Sequence, residues 1–247
     1  TYSVTRTAGG VFDAVRDLFV NRAFTNHHLK IFSFIDEHIV EDISSWNDIP
    51  MKLFRPLPML FSNKMRKAML KESPDIFHME ALWRYPQLLM TSWKKHKKAP
   101  IVCTPHGMLD PYIIKNQGLV KRLVSNLFFQ KSLEAVDCYH ALCQKELEDI
   151  RAYGLKQPVA IIPNGVNDPD LKFEKTDNKK HLLYLGRLHK KKGVDLLLKA
   201  LAAINREEKG LLDNWQIDLV GWDHEGCKAE LEKIVSENRL EDKVVLH

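Results

Sequence analysis

The sequence predicts an α/β protein built from two Rossmann-like, doubly wound parallel-sheet domains, and three observations predict it. Short apolar runs alternate with amphipathic helical patterns along the whole chain, the signature of parallel sheets flanked by helices. Within Leu182 to Asp195 an apolar run ends at Gly186, a basic loop follows, and a helical pattern (Leu196, Leu197, Ala200, Leu201, Ile204) begins after Gly193. Between Pro163 and Lys180 the chain is polar and turn-rich, with a tight-turn Asn164-Gly165, which places a domain boundary there. The expected domains are 1–170 and 171–247, the second incomplete, with a cleft between them.

Each element has its own signal. Gly9-Gly10 opens an amphipathic helix (Val11, Ala14, Val15, Leu18, Phe19), Leu29 to Ile35 reads as a buried strand, and Met51 to Phe54 as a short one. A helix follows over Phe61 to Leu70, and a strand over Asp75 to Met79 is entered through Pro74. The helix from Tyr85 to Lys98 stops before Pro100, which cannot continue it. Pro100 to Thr104 is short, apolar and β-branched, as a parallel strand should be. Gln117 to Leu133 reads as helix, Cys138 to Leu142 as strand, Gln144 to Tyr153 as helix with Gly154 as its stop, and Val159 to Ile162 as strand. The second domain runs strand His181 to Leu185, helix Val194 to Glu208, strand Gln216 to Val220, helix Glu225 to Asn238 and strand Lys243 to Leu246. A strand before Thr1 is expected to feed Gly9-Gly10. The second domain stops at its third strand, so an apolar face and a sheet edge are expected to be uncovered.

Composition narrows the class. The 247 residues suffice for two cores, and a net charge of +5 suits an anionic small molecule, a membrane surface or nucleic acid equally well. Cys103, Cys138, Cys143 and Cys227 have no metal-ligand spacing, which predicts free buried thiols and a cytoplasmic protein. No apolar run approaches the ~20 residues of a membrane span. Nucleic acid is not an expected partner, because the lysines at 94, 95, 97, 98 and 190–192 accompany no binding signature.

Ligands of open α/β sheets bind at the carboxyl ends of strands, where Gly9-Gly10, Pro105-His106-Gly107 and the loop from Arg187 to Lys192 all fall. On the last, Arg187 offers a planar fork and Lys192 a mobile charge, at the start of a helix whose dipole favours an anion, so the loop suits a phosphate group. It is neither a P-loop, for no Gly-Lys-Ser/Thr follows, nor the G-x-G-x-x-G fingerprint. A solvated basic loop is the plainer reading. A turn that starts a helix is the lesser alternative for Gly9-Gly10, and Asp110, within Leu-Asp-Pro, reads as a turn cap.

Four segments together resemble glycosyltransferase family 4, the retaining "group 1" transferases of the GT-B fold. They are Ala8-Gly9-Gly10-Val11, Pro105 to Pro111 (P-H-G-M-L-D-P), Ile162 to Val166 (I-P-N-G-V), and Leu185-Gly186-Arg187-Leu188 with Lys192-Gly193-Val194-Asp195. The resemblance implies transfer of a sugar from a nucleotide-diphosphate donor to a hydroxyl of a glycan or glycolipid, with retention, in cell-surface polysaccharide or glycolipid synthesis. It implies that Arg187 and Lys192 bind the donor diphosphate and neutralise the leaving group, that His106 hydrogen-bonds the donor sugar, and that the Gly9-Gly10 backbone approaches the ligand. Gly221 stands where the family often has a Gly-x-Gly turn near the nucleotide, with Asp223 in place of the second glycine. No metal or other cofactor is implied beyond the nucleotide sugar itself. The family's paired-glutamate motif is expected beyond His247, and a noncatalytic phosphosugar- or partner-binding module is the alternative.

Residues 51–71 carry Lys52, Arg55, Lys64, Arg66, Lys67 and Lys71 without an acidic residue. On a helix starting near Ser62, Lys64, Lys67 and Lys71 share one face and Phe61, Met65, Ala68 and Met69 another. The face either meets water or makes peripheral contact with anionic lipid, as a lipid-linked acceptor would favour.

Overall fold

The structure, a computed structural model, describes residues 1–20, 26–56, 61–97, 99–115, 129–166, 178–223 and 226–247, without the Lys191 side chain. Two compact units divide the chain, Thr1–Asp168 and Pro169–His247. Every strand pairing in both is parallel.

In the first unit, β1 (Ile31–Phe34) pairs with β2 (Met51–Phe54), and the Tyr2 carbonyl on β1's other side accepts from Phe34 N–H at 3.3 Å. A second sheet runs β3 (Phe77–Glu80), β4 (Ile101–Thr104), β5 (Cys138–Ala141) and β6 (Val159–Ile161) in chain order. Strand side chains alternate between faces. Phe77, Met79, Ile101, Cys103, Tyr139 and Ala141 therefore point one way, into a core shared with Met65, Met69, Leu89, Met90 and Trp93. Burying each large side chain stabilises by about 1.5–3 kcal/mol. Helices α3 (Asn63–Lys71) and α4 (Tyr85–His96) face this core. Ser62 starts α3 by accepting Met65 N–H on its Oγ at 3.1 Å, and the polar face keeps Lys64, Lys67 and Lys71 exposed.

α1 (Gly10–Val20) packs its Phe12 and Val15 with Val4 and Trp46 in a smaller core. The segment from 36 to 50, which carries no clear periodic signal, forms α2 (Ile39–Asp42) and a 3-10 turn (Ile43–Trp46). Side-chain bonds replace periodicity there. Asp42 takes the Arg6 backbone N–H at 2.8 Å and its guanidinium, and Trp46 donates Nε1–H to the Val4 carbonyl at 2.8 Å.

The expected strand at Asp75 to Met79 lies two residues later and ends at Glu80, because pairing starts where Phe77 N–H meets the Pro100 carbonyl. Short helices α5 (Pro111–Lys115) and α6 (Gln130–Glu134) frame the expected helix over 117–133, most of which lies outside the described residues, as does Lys98. α7 (Gln144–Ala152) follows β5. All four cysteines are free, but only Cys103 and Cys227 are buried. Cys143 is exposed at the start of α7, contrary to the expectation of buried thiols.

The second unit orders β7 (Lys180–Leu185), β8 (Trp215–Val220) and β9 (Val244–Leu246), with α8 (Val194–Glu207) and α9 (Cys227–Glu237) packed on one face through Leu198, Ile217, Leu219, Leu231 and Val244. The other face leaves Leu183 and Leu185 exposed. There Asp218 accepts from His181 Nδ1 at 3.0 Å and His247 Nε2 at 3.1 Å, and these bonds hold its carboxyl down at about 2. Among the described residues no helix is long and apolar enough to cross a membrane.

Candidate functional site

In the second unit the loop after β7 is fixed at several points. Gly186 N–H donates to the Val220 carbonyl at 2.9 Å, and Leu188 N–H to that of Trp222 at 3.0 Å. Leu188 and Val194 are buried on either side, so the segment between them is held at both ends. Tyr184 Oη donates to the Arg187 carbonyl at 2.8 Å and props the peptide from below. Residues 190–192 form a 3-10 turn, and Gly193, left-handed at φ 69°, leads into α8.

The charges on this loop differ. Lys190 lies 3.4 Å from Glu230. The half-buried Arg187 guanidinium and the exposed Lys192 ammonium make no ion pair or side-chain hydrogen bond among the described residues. The start of α8 is less available than the sequence suggests. Asp195 lies in the first turn, and its carboxyl is held below the usual range chiefly by a hydrogen bond from Lys199 at 3.0 Å, with the amides of Leu196 and Asp195 contributing. The capacity for an anion rests on the two side-chain cations more than on the helix amides.

Gly221 is demanded by packing. A Cβ built on it would lie 1.9 Å from the Gly186 carbonyl oxygen, an overlap that no side-chain rotation relieves. This is the close approach of two backbones that only glycine allows. It accounts for the residue whether or not a nucleotide lies nearby.

In the first unit, Gly9 has φ 57° and ψ −139°, a conformation that suits glycine alone, and it hands directly into α1. A Cβ on Gly9 or Gly10 would meet no atom of the described residues within 4 Å, so among them the space above the turn is open. His106, on the loop after β4, is left-handed at φ 54°, and Gly107 follows at φ 70°. Ala81 and Trp83, after β3, are left-handed too. A non-glycine residue held there costs about 1 kcal/mol or more, and surrounding bonds must impose it. They are present. Glu146, buried at the start of α7, accepts Gly107 N–H at 2.6 Å and Leu142 N–H at 2.7 Å, while Trp83 Nε1–H donates to the Met108 carbonyl at 3.1 Å. Asp110 accepts Tyr112 N–H at 2.7 Å, closing the turn into α5.

The sheet places a group of polar side chains beside His106 that the sequence reading missed. His78 and Glu80 (β3), Thr104 (β4) and His140 (β5) face away from the apolar core, with Glu80 and Thr104 in register. His106 Nε2 lies 2.6 Å from Glu80 Oε2. His78 Nε2 is 2.9 Å from Thr104 Oγ1, which is 3.0 Å from His140 Nδ1, and His140 Nε2 is 2.8 Å from the Ile162 carbonyl. The carbonyl fixes the direction of this chain, since it only accepts. His140 donates from Nε2, a neutral ring accepts the Thr104 hydroxyl proton at Nδ1, and Thr104 accepts from His78.

Titration follows from this arrangement. Burial lowers the His78 pKa, which Glu80 at 3.2 Å offsets only in part. Burial alone would raise Glu80, but the His106 hydrogen bond and the charge of His78 outweigh it, and the carboxyl stays below its ordinary value. Among the described residues Glu80 Oε1 is sealed from solvent with no hydrogen-bond partner, because His78 has given its N–H to Thr104. The signal was present in the sequence as polar residues alternating through Phe77-His78-Met79-Glu80 and Cys138-Tyr139-His140-Ala141, in strands that should be apolar on both faces. No group of three or more His, Cys, Asp or Glu among the described residues is placed to hold a metal ion.

The structure thus joins His106 to Glu80 within one unit, and Arg187, Lys192 and Gly221 to one loop pair within the other. A family model described as Glycosyltransferase Family 4 matches residues 21–169. The chain belongs to glycosyltransferase family 4. A second model, Glycosyl transferases group 1, matches residues 168–247. No curated protein matches the family 4 chain by sequence. Among solved structures it is similar to Anabaena HepE in complex with UDP-glucose (TM-score 0.69, 17% identity, 100% of this chain and 67% of that one). HepE with UDP gives 0.68 at 17% identity, over 99% and 66%. A glycosyltransferase from Rickettsia africae gives 0.64 at 16% identity, over 98% and 65%. These identities speak to fold, which is α/β of the GT-B type. The family 4 chain spans about two thirds of the length of these structures.

Proposed function

We propose that this family 4 protein transfers a sugar from a nucleotide-diphosphate donor to a hydroxyl of a glycan or glycolipid acceptor, with retention of anomeric configuration. The observation that carries the proposal is the pair of cations, Arg187 and Lys192, with no ion-pair partner among the described residues, on a loop anchored to β8, in a chain matched by glycosyltransferase models along nearly its whole length. HepE, similar in fold, was solved with UDP and with UDP-glucose, which favours a uridine nucleotide as the first donor to try.

In this reading the bond from the sugar's anomeric carbon to the diphosphate oxygen breaks as a bond to the acceptor oxygen forms on the same face. The acceptor's proton passes to the departing diphosphate, whose growing negative charge Arg187 and Lys192 neutralise. Fixed cations aimed at such a charge act without a metal. His106 hydrogen-bonds the sugar, and the open turn at Gly9-Gly10 admits a ligand close to its backbone. Synthesis of cell-surface polysaccharide or glycolipid at the cytoplasmic membrane face is the proposed setting. α3 would touch anionic lipid there through Lys64, Lys67 and Lys71, which are exposed, whereas Lys52 is committed with Lys30 to Glu72.

The test is incubation with UDP-, GDP- and ADP-sugars and a glycolipid acceptor, followed by the anomeric configuration of the product. Transfer with retention supports the proposal. An inverted product contradicts the stereochemistry, and nucleotide-sugar binding without any turnover would establish the noncatalytic alternative.

A further inference from the structure

We infer that Glu80 is a positioning residue that turns His106 into a one-way hydrogen-bond acceptor, so that the group His106 meets must be a hydroxyl and not a phosphate oxygen. The inference deepens the proposed function and rests on it for the identity of that hydroxyl.

An ionised carboxylate can only accept, so at 2.6 Å the proton between Glu80 Oε2 and His106 Nε2 belongs to the ring. In the neutral imidazole this leaves Nδ1 bare. Nδ1 has no hydrogen-bond partner among the described residues and is not among the side-chain atoms sealed from solvent. A bare ring nitrogen accepts from an O–H. It gains nothing from a diphosphate oxygen, which also only accepts.

Two features make the assignment rigid. Among the described residues His106 is the one donor that Glu80 has, since the His78 N–H is directed to Thr104 and Oε1 is unpartnered. Losing the His106 bond would leave a buried carboxylate with none, so the pair is strongly held. The His106 backbone is equally constrained, left-handed at φ 54° and followed by a Gly107 N–H tied to Glu146. A ring pinned at Nε2 on a loop pinned at the next peptide presents Nδ1 in a single direction.

The experiment is ¹⁵N-histidine NMR of the full chain at a pH where the rings are neutral, with His106 assigned by its loss in His106→Gln, alongside the same measurement and transfer kinetics on Glu80→Gln. The inference expects His106 wholly in the Nε2–H form in the native protein. In Glu80→Gln, whose amide can present either an oxygen or an N–H, a mixture of tautomers is expected, with kcat reduced at least ~10-fold and KM for the donor within about threefold, as for a group that fixes a histidine tautomer. An Nδ1–H form in the native protein would overturn it, as would a tautomer shift in the variant that left kcat unchanged. The native spectrum needs no substrate, so it decides the assignment even if Glu80→Gln fails to fold. Absence of turnover with every nucleotide sugar would count against the proposed function and leave the spectrum as it is.

Discussion

His106 sits in a backbone conformation that histidine seldom adopts, and its ring is anchored at one nitrogen, so its contribution depends on geometry more than on charge. A group of that kind acts on the reacting sugar and hardly on the nucleotide. His106→Ala should therefore leave affinity for free nucleoside diphosphate within about threefold while lowering transfer at least ~100-fold, by calorimetry and product assay respectively. Parallel loss of nucleotide affinity would make His106 a structural residue. The residue itself was legible, because Pro105 and Gly107 flank it and mark a loop at a strand end. Its partner Glu80 was not. Glu80 is 26 positions away in sequence, in a strand whose end was read one residue too early, and only parallel pairing in register with Thr104 brings it to the loop.

At the scale of elements, the ends of β7 and β8 depend on two glycines in backbone contact. Gly221→Ala drives a methyl group into the Gly186 carbonyl oxygen and must displace one strand end. Overpacking of this kind typically costs about 1–3 kcal/mol. The expected result is a lowered unfolding midpoint of the second unit, together with weakened nucleotide binding because the Arg187 loop hangs from the same contact. Unchanged stability with lost binding would instead point to direct contact between Gly221 and the nucleotide. The family resemblance implies a ligand role for Gly221, with Asp223 in place of the second glycine, and sequence cannot separate that role from packing, because a strand followed by glycine looks the same whether backbone or ligand fills the space above it. α3 raises a similar question for its lysines. Its apolar stripe was legible, and Met65 and Met69 are buried, but the same pattern serves a face turned to water or to lipid. Each basic residue near an anionic surface contributes ~1 kcal/mol. Co-sedimentation with anionic vesicles should be salt-sensitive and should fall sharply when Lys64, Lys67 and Lys71 become glutamate. Sedimentation that is unchanged in that variant would remove the membrane from the account.

For the molecule as a whole, alternation of short apolar runs with amphipathic helical patterns made the parallel sheets legible. What holds the irregular first segment was not legible, since it consists of single polar contacts such as Arg6 with Asp42. Those contacts leave a mark on stability. The Arg6 hydrogen bonds hold Asp42 at about 2, below its unfolded value near 4, so their stabilisation is present above about pH 4 and is lost as pH falls towards 2. His78 acts higher. Burial lowers its pKa, so the unfolded chain binds a proton near pH 6.5 that the folded chain refuses, and stability falls as pH drops below that point. Chemical unfolding of the first unit at pH 7.5 and 5.5 should show a loss that shrinks in His78→Gln. An equal loss in both proteins would assign it to other groups.

The central claim is that Arg187 and Lys192 hold a nucleoside diphosphate. Calorimetric titration of UDP, GDP and ADP into the native protein and into Arg187→Ala, Lys192→Ala and Lys190→Ala tests it most directly. Removing a charge-assisted bond to phosphate costs about 1.5–3 kcal/mol, roughly 10- to 100-fold in affinity. Such losses are predicted for Arg187→Ala and Lys192→Ala, and affinity within about twofold for Lys190→Ala, whose ammonium already faces Glu230. Equal, small effects at all three positions would contradict the claim and return the loop to a solvated basic surface.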